Sequence, residues 1–193
     1  MRLIIFTFAI IMIAGCSEPD ISESNDSFEK IYNQFHGKYE ITRSFSDRPV
    51  DINMDGKSSV DLLQEIPDLE RSGLELRIVE RSFTGPGSVY LFVQSWSEQN
   101  FPHGTSSDDT SILPDYVLQG VVRTFTLNRD KDTLLIKHDE NSEINLEKFP
   151  VPGEVAVIDD GQIQVTVMKR ILTSDGWQTI KIRTKYSRYT MNT

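Results

Sequence analysis

Residues 162–190, QIQVTVMKRILTSDGWQTIKIRTKYSRYT, show the strongest structural pattern in the chain. Two runs in which apolar and polar residues alternate, 162–172 and 177–190, flank the turn sequence SDG. A period of two places successive side chains on opposite faces of a strand. Asp-Gly tolerates the positive φ that tight hairpin turns need. In the first run, the apolar face consists of Ile163, Val165, Val167 and Ile171. The segment therefore predicts an antiparallel hairpin with one buried face and one solvated face.

Similar patterns upstream predict a further six strands, which makes eight in total. Most are rich in Val, Ile, Thr and aromatic residues, as strands usually are. The predicted strands are residues 38–46, 73–82, 87–97, 116–128, 133–138, 154–158, 162–172 and 177–190. Short turns between consecutive strands indicate an antiparallel meander, and closure into a barrel removes exposed strand edges. We therefore expect an all-β fold, an up-and-down antiparallel eight-stranded barrel.

A short helix is predicted directly before the first strand. Its apolar residues fall at positions i, i+3, i+4 and i+7, which is a helical spacing. These residues are Phe28, Ile31, Tyr32 and Phe35. Asp26 and Glu29 have the spacing of a capping box at the start of a helix. We expect this helix to cover one end of the barrel.

The composition of the chain excludes some classes of function. The 193 residues carry a net charge of −9, with 38% hydrophobic and 25% charged residues, which is ordinary for a globular protein. A pI near 4.8 argues against nucleic-acid binding, which requires a basic surface to displace counterions from phosphates. The chain has one cysteine, so an internal disulfide and a cysteine-based zinc cluster are both excluded.

The N-terminus has the pattern of an export signal. Arg2 precedes the apolar stretch LIIFTFAIIMIA, which is too short to cross a bilayer but is typical of a signal peptide. The stretch runs into the sequence IAGC, which ends at Cys16 and resembles the cleavage and acylation site of bacterial lipoproteins. The resemblance implies that residues 1–15 are removed as a signal peptide and that Cys16 carries fatty acyl chains such as palmitate. The alternative is an ordinary secretory signal with an unrelated cysteine.

Acylation would anchor the chain to a membrane, because two or three acyl chains give durable attachment. In lipoproteins, a serine such as Ser17 after the cysteine favours sorting to the outer membrane; the side of the membrane that the domain faces stays open. Residues 16–25 are polar and non-periodic, and we expect a flexible tether. Residues 26–193 then form one barrel domain, a size typical of single domains.

The start of the first predicted strand also resembles a known family. Gly37-Lys38-Tyr39 is similar to the Gly-x-Trp with which lipocalins begin their first strand, with tyrosine in place of tryptophan. Together with the eight-strand meander, residues 27–190 resemble the lipocalin-like domain of bacterial lipoproteins. The resemblance implies a cavity for a small apolar or amphipathic molecule. The alternative is an accessory protein of an envelope complex, with a side-chain-filled barrel that acts through its surface.

One connection between predicted strands, residues 98–115, is unusually long. Eighteen residues without a strand pattern exceed the common hairpin lengths of about 2–5 residues. Connections of this length are functional lids or disordered excursions. Phe101, Ile112 and Leu113 are the apolar residues that we expect to place this lid over the mouth of the barrel.

Residues 49–63, PVDINMDGKSSVDLL, resemble the first half of a calcium loop of the EF-hand or dockerin type. Alternating oxygen ligands converge on one ion in such loops, and a glycine at position 6, here Gly56, permits the sharp turn. The predicted ligands are Asp51, Asn53, Asp55, Asp61 and the backbone carbonyl of Lys57. The loop departs from the pattern because position 12 is Leu62 and the last acid comes one residue early. We expect a structural calcium ion; the alternative is a turn whose carboxylates cap backbone amides without an ion.

No catalytic motif was found in the sequence. There is no Gly-x-Ser-x-Gly nucleophile motif, no His-Glu-x-x-His metal motif and no glycine-rich phosphate loop. His36, His103 and His138 are far apart in the chain, and we expect each to be a surface or loop residue. We therefore predict a binding protein without enzymatic activity.

Overall fold

The computed structural model describes residues 22–80, 88–101, 113–128, 132–138 and 144–193. Cys16, the predicted signal peptide and most of the predicted tether lie outside the described residues. The helices and strands are α1 (Ser22–Phe35), β1 (Gly37–Val50), β2 (Ser59–Asp61), α2 (Leu62–Glu65), a 3₁₀ turn (Leu69–Arg71), β3 (Gly73–Glu80), β4 (Ser88–Asn100), β5 (Asp115–Asn128), β6 (Thr133–Lys137), β7 (Glu154–Asp159), β8 (Gln162–Thr173) and β9 (Gly176–Thr190). Among the described residues, neither α-helix has the length and apolar composition needed to cross a bilayer.

Eight antiparallel strands form a closed barrel, which confirms the predicted fold class. The strands from β3 to β9 are neighbours in chain order, β1 lies beside β3, and β1 also pairs with β9. The closing ladder runs from the pair Lys38 and Thr190 to the pair Ser46 and Ile182. Each of the eight strands therefore has a hydrogen-bonded neighbour on both sides, and the barrel has an interior with two ends.

Strand β2 is an addition that the sequence does not predict. It pairs with the second half of β1, with Val50 opposite Ser59 and Phe45 opposite Asp61. Three residues are too few to show a period of two, and the end of β1 contains Pro49 among polar residues, which is typical of a turn. Tertiary pairing thus extends β1 to Val50, four residues beyond its predicted end.

Helix α1 begins at Ser22, earlier than predicted. Residues 22–25, which the sequence assigns to the tether, form its first turn. The apolar stripe starts only at Phe28, so hydrophobic periodicity cannot reveal that first turn. Ile31 and Phe35 belong to the same buried core as the barrel strands. The helix therefore covers the end of the barrel at which β1 starts and β9 ends.

Gly37 connects α1 to the barrel. Its φ of +144° lies in a region that side chains other than glycine rarely adopt, and a Cβ here would collide with the backbone oxygen of Thr190. Two residues later, the buried Tyr39 donates a 2.6 Å hydrogen bond from its hydroxyl to the carbonyl of Phe35 at the end of α1. The Gly-x-aromatic sequence therefore has a structural role at the closing seam between β1 and β9.

Arg188 on β9 holds the C-terminal end of the same helix. Its guanidinium donates to the carbonyl oxygens of Asn33 at 2.8 Å and Gln34 at 3.1 Å. The last carbonyls of a helix have no partner within the helix, and a cation is favourable at that end. Asp160 lies 3.4 Å from the same guanidinium. Helix α1 is therefore tied to the last strand as well as to the first.

His36 lies in the connection between α1 and β1, in keeping with the predicted surface or loop position, but its side chain is buried. Its Nδ1 accepts a hydrogen bond from the backbone N–H of Ile78 at 3.1 Å, and its ring stacks on Tyr32 with centroids 4.2 Å apart. Desolvation by burial lowers the pKa of His36, and the positive charges of Arg77 and Arg188 act in the same direction, while Glu75 opposes them. The sequence does not show this burial, because His36 lies between two elements and outside both periodic patterns.

We predict that the fold loses stability as the pH falls below the ordinary histidine pKa of 6.5. The lowered pKa means that neutral His36 stabilises the fold above 6.5, and this contribution is lost as the pH falls toward the lowered value. Chemical denaturation at about pH 7.5 and about pH 5.5 should show a smaller loss of unfolding free energy for His36→Gln than for the unsubstituted chain. An equal loss in His36→Gln and in the unsubstituted chain would contradict the assignment.

Candidate functional site

A cavity of about 310 Å³ lies at the end of the barrel opposite α1. Its walls come from the end of β4, the start of β5, the end of β8 and the start of β9. The apolar and aromatic residues that line it are Ile52, Ile66, Trp96, Phe101, Tyr116, Ile171 and Trp177. Small-molecule sites typically enclose about 300–1,000 Å³. The cavity therefore has the size of a small-molecule site, and its walls combine these apolar residues with polar and charged ones, which include Glu98, Lys148, Lys169 and Arg170.

Both tryptophans of the chain line this cavity. Trp177 packs against Phe101, with ring centroids 5.4 Å apart, and the guanidinium of Arg170 lies 4.6 Å from its ring. Trp177 Nε1 is buried and has no hydrogen-bond partner among the described residues. Buried indole N–H groups usually have a partner, so the unsatisfied donor of Trp177 is unusual.

The segment that contains the predicted calcium loop lies over this end of the barrel. Ile52 and Ile66, at its two ends, line the cavity, and the carbonyl of Asp51 accepts a 2.9 Å hydrogen bond from the backbone N–H of Ser174 in the β8–β9 turn. The opposite wall is held by Gln99, whose side chain exchanges two 2.9 Å hydrogen bonds with the backbone of Leu172. The surroundings of the cavity are therefore fixed by bonds between distant parts of the chain.

The predicted lid is shorter than residues 98–115, because strand pairing continues into it. Strand β4 extends to Asn100 and pairs there with Asp115, the first residue of β5. Pairing with a neighbouring strand overrides the polar composition of the segment, which had predicted a loop. Phe101 lies over the cavity as expected, whereas Leu113 is 69% exposed. Ile112 lies outside the described residues.

A buried ion pair forms part of the cavity wall. Lys169 Nζ lies 2.6 Å from Glu98 Oε1, and the two residues are 7% and 4% exposed. Lys169 also donates to the carbonyl of Lys148. Burial raises the pKa of Glu98 and lowers that of Lys169, and the charge of each partner opposes the shift of the other. Removing one member would leave an uncompensated charge inside the barrel.

Arg123 is a second cation inside the barrel. It is 4% exposed and donates a 2.6 Å hydrogen bond to the carbonyl of Phe149, whereas its Nε has no partner among the described residues. Burial lowers the pKa of Arg123. No salt bridge to Arg123 is formed within the part of the chain that the structure describes. A buried guanidinium without a carboxylate partner is rare, because burying an unpaired charge is costly.

The predicted calcium loop has the hydrogen bonds of a capped turn. The two carboxylate oxygens of the buried Asp51 accept from the backbone N–H groups of Asp55 at 3.1 Å and Gly56 at 3.0 Å. Asn53 Oδ1 accepts from the N–H of Asp55 at 3.0 Å, and Asp55 Oδ1 accepts from the N–H of Lys57 at 2.8 Å. The loop is therefore stabilised by hydrogen bonds from its own backbone N–H groups to its carboxylate and amide oxygens.

Asp61 points to α2 rather than to the loop. Its carboxylate caps the helix by accepting from the N–H of Leu63 at 3.1 Å. Glu65 is the buried acid that returns to the loop, where it accepts from the N–H of Ile52 at 2.9 Å. Burial raises the pKa of Glu65, the negative charges of Asp51 and Asp55 add to the shift, and the backbone hydrogen bonds oppose it. The sequence analysis missed Glu65 because it lies beyond the loop, inside an apolar run.

The donor types of this loop fit calcium, which prefers carboxylate and carbonyl oxygens. A carboxylate oxygen that accepts one N–H bond keeps a further lone pair for an ion. In the described residues, however, no group of three His, Cys, Asp or Glu side chains is close enough to hold a metal ion. Calcium binding would therefore require the carboxylates to move closer together.

No protein-family model, no curated protein and no solved structure matches this chain. The function is therefore argued from the fold and the site. An eight-stranded antiparallel barrel is compatible with the lipocalin-like architecture that the sequence resembles.

Proposed function

We propose that this chain is a lipoprotein of the cell envelope whose lipocalin-like barrel binds a small apolar or amphipathic molecule. The observation that carries the proposal is the contrast between the two ends of the barrel interior. Next to α1 the interior is filled by fully buried side chains such as Tyr39 and Tyr186, and the pocket of about 340 Å³ at that end is lined largely by polar and acidic residues such as Asp159 and Asp160. The pocket of about 310 Å³ at the opposite end has both tryptophans in its walls. Filled interiors are typical of structural barrels, and open interiors are typical of barrels that bind ligands.

The polar groups around the cavity also support ligand binding. Mostly apolar walls supply the affinity in small-molecule sites, and a few placed polar groups orient the ligand. The Glu98–Lys169 pair in the cavity wall supplies charged groups of this kind. Because Gln99 holds β4 against β8, the walls need little rearrangement to receive a ligand.

The anchor of the proposed lipoprotein is Cys16. Cleavage before Cys16 and acylation of its sulfur would tether the barrel to the outer membrane through the segment that begins at Ser17. A tethered carrier would stay close to a source of apolar molecules, and its acyl chains would supply the attachment.

A second candidate function is a non-enzymatic accessory role in an envelope complex. Several apolar side chains are exposed on the outer face of the barrel, on β5, β6 and β8. These are Leu118, Val122, Leu135 and Met168, each more than half exposed. Exposed apolar residues that form a contiguous patch are a feature of protein interaction sites.

We also propose that calcium stabilises the loop over the cavity. Asp51, Asn53, Asp55 and the carbonyl of Lys57 would supply ligands, and Glu65 would take the place that the sequence analysis gives to Asp61. The negative charges of Asp51 and Asp55 add to the raised pKa of Glu65, and negative charges this close together favour a nearby cation. Weak sites of extracellular modules are filled at about 10⁻⁴–10⁻³ M calcium.

The ligand proposal predicts that decan-1-ol changes the intrinsic fluorescence of the purified chain and that the change saturates at one equivalent. Both tryptophans line the cavity, so an apolar ligand alters the surroundings of both. Asn100→Phe places an aromatic ring in the cavity wall and should weaken binding at least about tenfold. Val122→Phe adds a ring on the exposed outer face and should leave binding unchanged. A missing saturable change in the unsubstituted chain would overturn the proposal, as would equal binding by both variants.

The anchor proposal predicts that cells expressing the full chain incorporate labelled palmitate into it and that the protein sediments with membranes. Cys16→Ser removes the acylated sulfur and should abolish both the label and the sedimentation. Ser17→Ala, the control, keeps the cysteine and should remain labelled. Labelling that persists in Cys16→Ser would show that acylation occurs elsewhere, and an unlabelled unsubstituted chain would exclude the anchor.

The calcium proposal predicts a higher melting temperature in about 5 mM calcium than in chelator. Asp55→Asn should lose this increase, because it removes a carboxylate from the loop. Asp175→Asn changes an aspartate in the β8–β9 turn instead, so this control should keep the increase. If the unsubstituted chain melts at the same temperature in calcium and in chelator, the loop is a capped turn without an ion.

A further inference from the structure

The buried positive and negative side chains inside the barrel are unequal in number. Arg123 and Lys169 are buried cations, and Glu98 is the buried anion that pairs with Lys169. Arg123 has one hydrogen bond, to the neutral carbonyl of Phe149, and its Nε is unpartnered among the described residues. A neutral carbonyl compensates a buried positive charge less well than an anion does. The interior therefore carries an excess positive charge at Arg123.

A small void adjoins this guanidinium. Its volume is about 30 Å³, and its walls include Arg123, Lys169, Val121, Phe149 and Pro150. Trp96, Glu98 and Lys169 line both this void and the larger cavity. The larger cavity and the void therefore adjoin at these three side chains.

We propose that Arg123, with Lys169 beside it, binds the carboxylate of an amphipathic monocarboxylic acid whose hydrocarbon chain occupies the larger cavity. This inference rests on the proposed function and names the chemical class of its ligand. The carboxylate supplies the anion that Arg123 lacks and accepts hydrogen bonds from its guanidinium. The Glu98–Lys169 pair remains intact, because the second anion is directed to the guanidinium.

The geometry favours a carboxylate over other anions. A guanidinium presents parallel N–H donors that match the two oxygens of a carboxylate. A void of about 30 Å³ is a small space, because a single water needs about 10–15 Å³ measured in the same way. A planar carboxylate fits such a space, whereas a tetrahedral phosphate ester carries two further oxygens on its phosphorus.

The tests use decanoate, decan-1-ol and decyl phosphate, each titrated into the purified full-length chain with tryptophan fluorescence as the readout. Decanoate and decan-1-ol share a ten-carbon chain and differ in the charge of the headgroup. Arg123→Met removes the guanidinium and keeps an apolar side chain. It should raise the Kd of decanoate at least about tenfold and change that of decan-1-ol less than about twofold.

Two controls separate a headgroup contact from a general disturbance of the barrel. Arg183→Met makes the same change of charge on the exposed face of β9, and it should leave both Kd values unchanged. Arg123→Lys keeps the positive charge but cannot form the bidentate hydrogen bonds of a guanidinium with a carboxylate. Its Kd for decanoate should therefore lie between the values for Arg123→Met and for the unsubstituted chain. The unsubstituted chain should also bind decanoate more tightly than decyl phosphate.

The outcomes distinguish failure of this inference from failure of the proposed function. If the unsubstituted chain binds neither decan-1-ol nor decanoate, the proposed function itself is wrong. If the unsubstituted chain binds both compounds, the carboxylate assignment is overturned when Arg123→Met weakens the binding of both to the same extent. It is also overturned when Arg123→Met weakens the binding of neither compound. In both cases the proposed binding of apolar molecules stands. Equal Kd values of the unsubstituted chain for decyl phosphate and decanoate would also overturn the assignment. This comparison uses no variant, so it does not depend on whether a variant folds.

Discussion

The pairing of the first strand with the last is the constraint on which the rest of this structure depends. Without the β1–β9 ladder, the sheet would have two free edges and no enclosed interior. Closure demands that two backbones approach closely at Gly37 and Thr190, where a side chain would not fit. The closed sheet leaves an interior with two ends, and α1 covers one of them through the bonds of Tyr39 and Arg188. The cavity at the other end follows from this arrangement.

Much of the fold could be predicted from the sequence, because strand alternation is a local property of the chain. The parity of Ile180 and Ile182 predicts which face of β9 is buried, and the structure confirms it. The sequence analysis missed the charged side chains inside the barrel, although the alternation of the strands also predicts that these positions face inward. Lys169 occupies the parity of the buried Ile171, and Arg123 that of the buried Phe125. A charged residue at an apolar position of a strand is therefore a clue to a site inside the barrel.

Other parts of the site could not be predicted because they depend on contacts between distant residues. Glu65 lies fourteen residues after Asp51 and meets its loop only because α2 turns the chain back toward Ile52. The extension of β4 through Asn100 depends on its pairing with β5. Burial of His36 likewise depends on the backbone N–H of Ile78, forty-two residues away. Such contacts form when the barrel closes, so local patterns do not show them.

Stability and binding make opposite demands on this barrel. Filling the cavity with side chains would add buried apolar surface, and removing Arg123 would remove an unpaired buried charge. Both features weaken the empty barrel, and a bound ligand would compensate for both. The most direct test of the central claim is an NMR titration of the ¹⁵N-labelled chain with decan-1-ol. The account predicts that the indole N–H signals of Trp96 and Trp177 both shift and saturate at one equivalent. Indole signals that stay fixed, while backbone signals of the outer face shift, would contradict it.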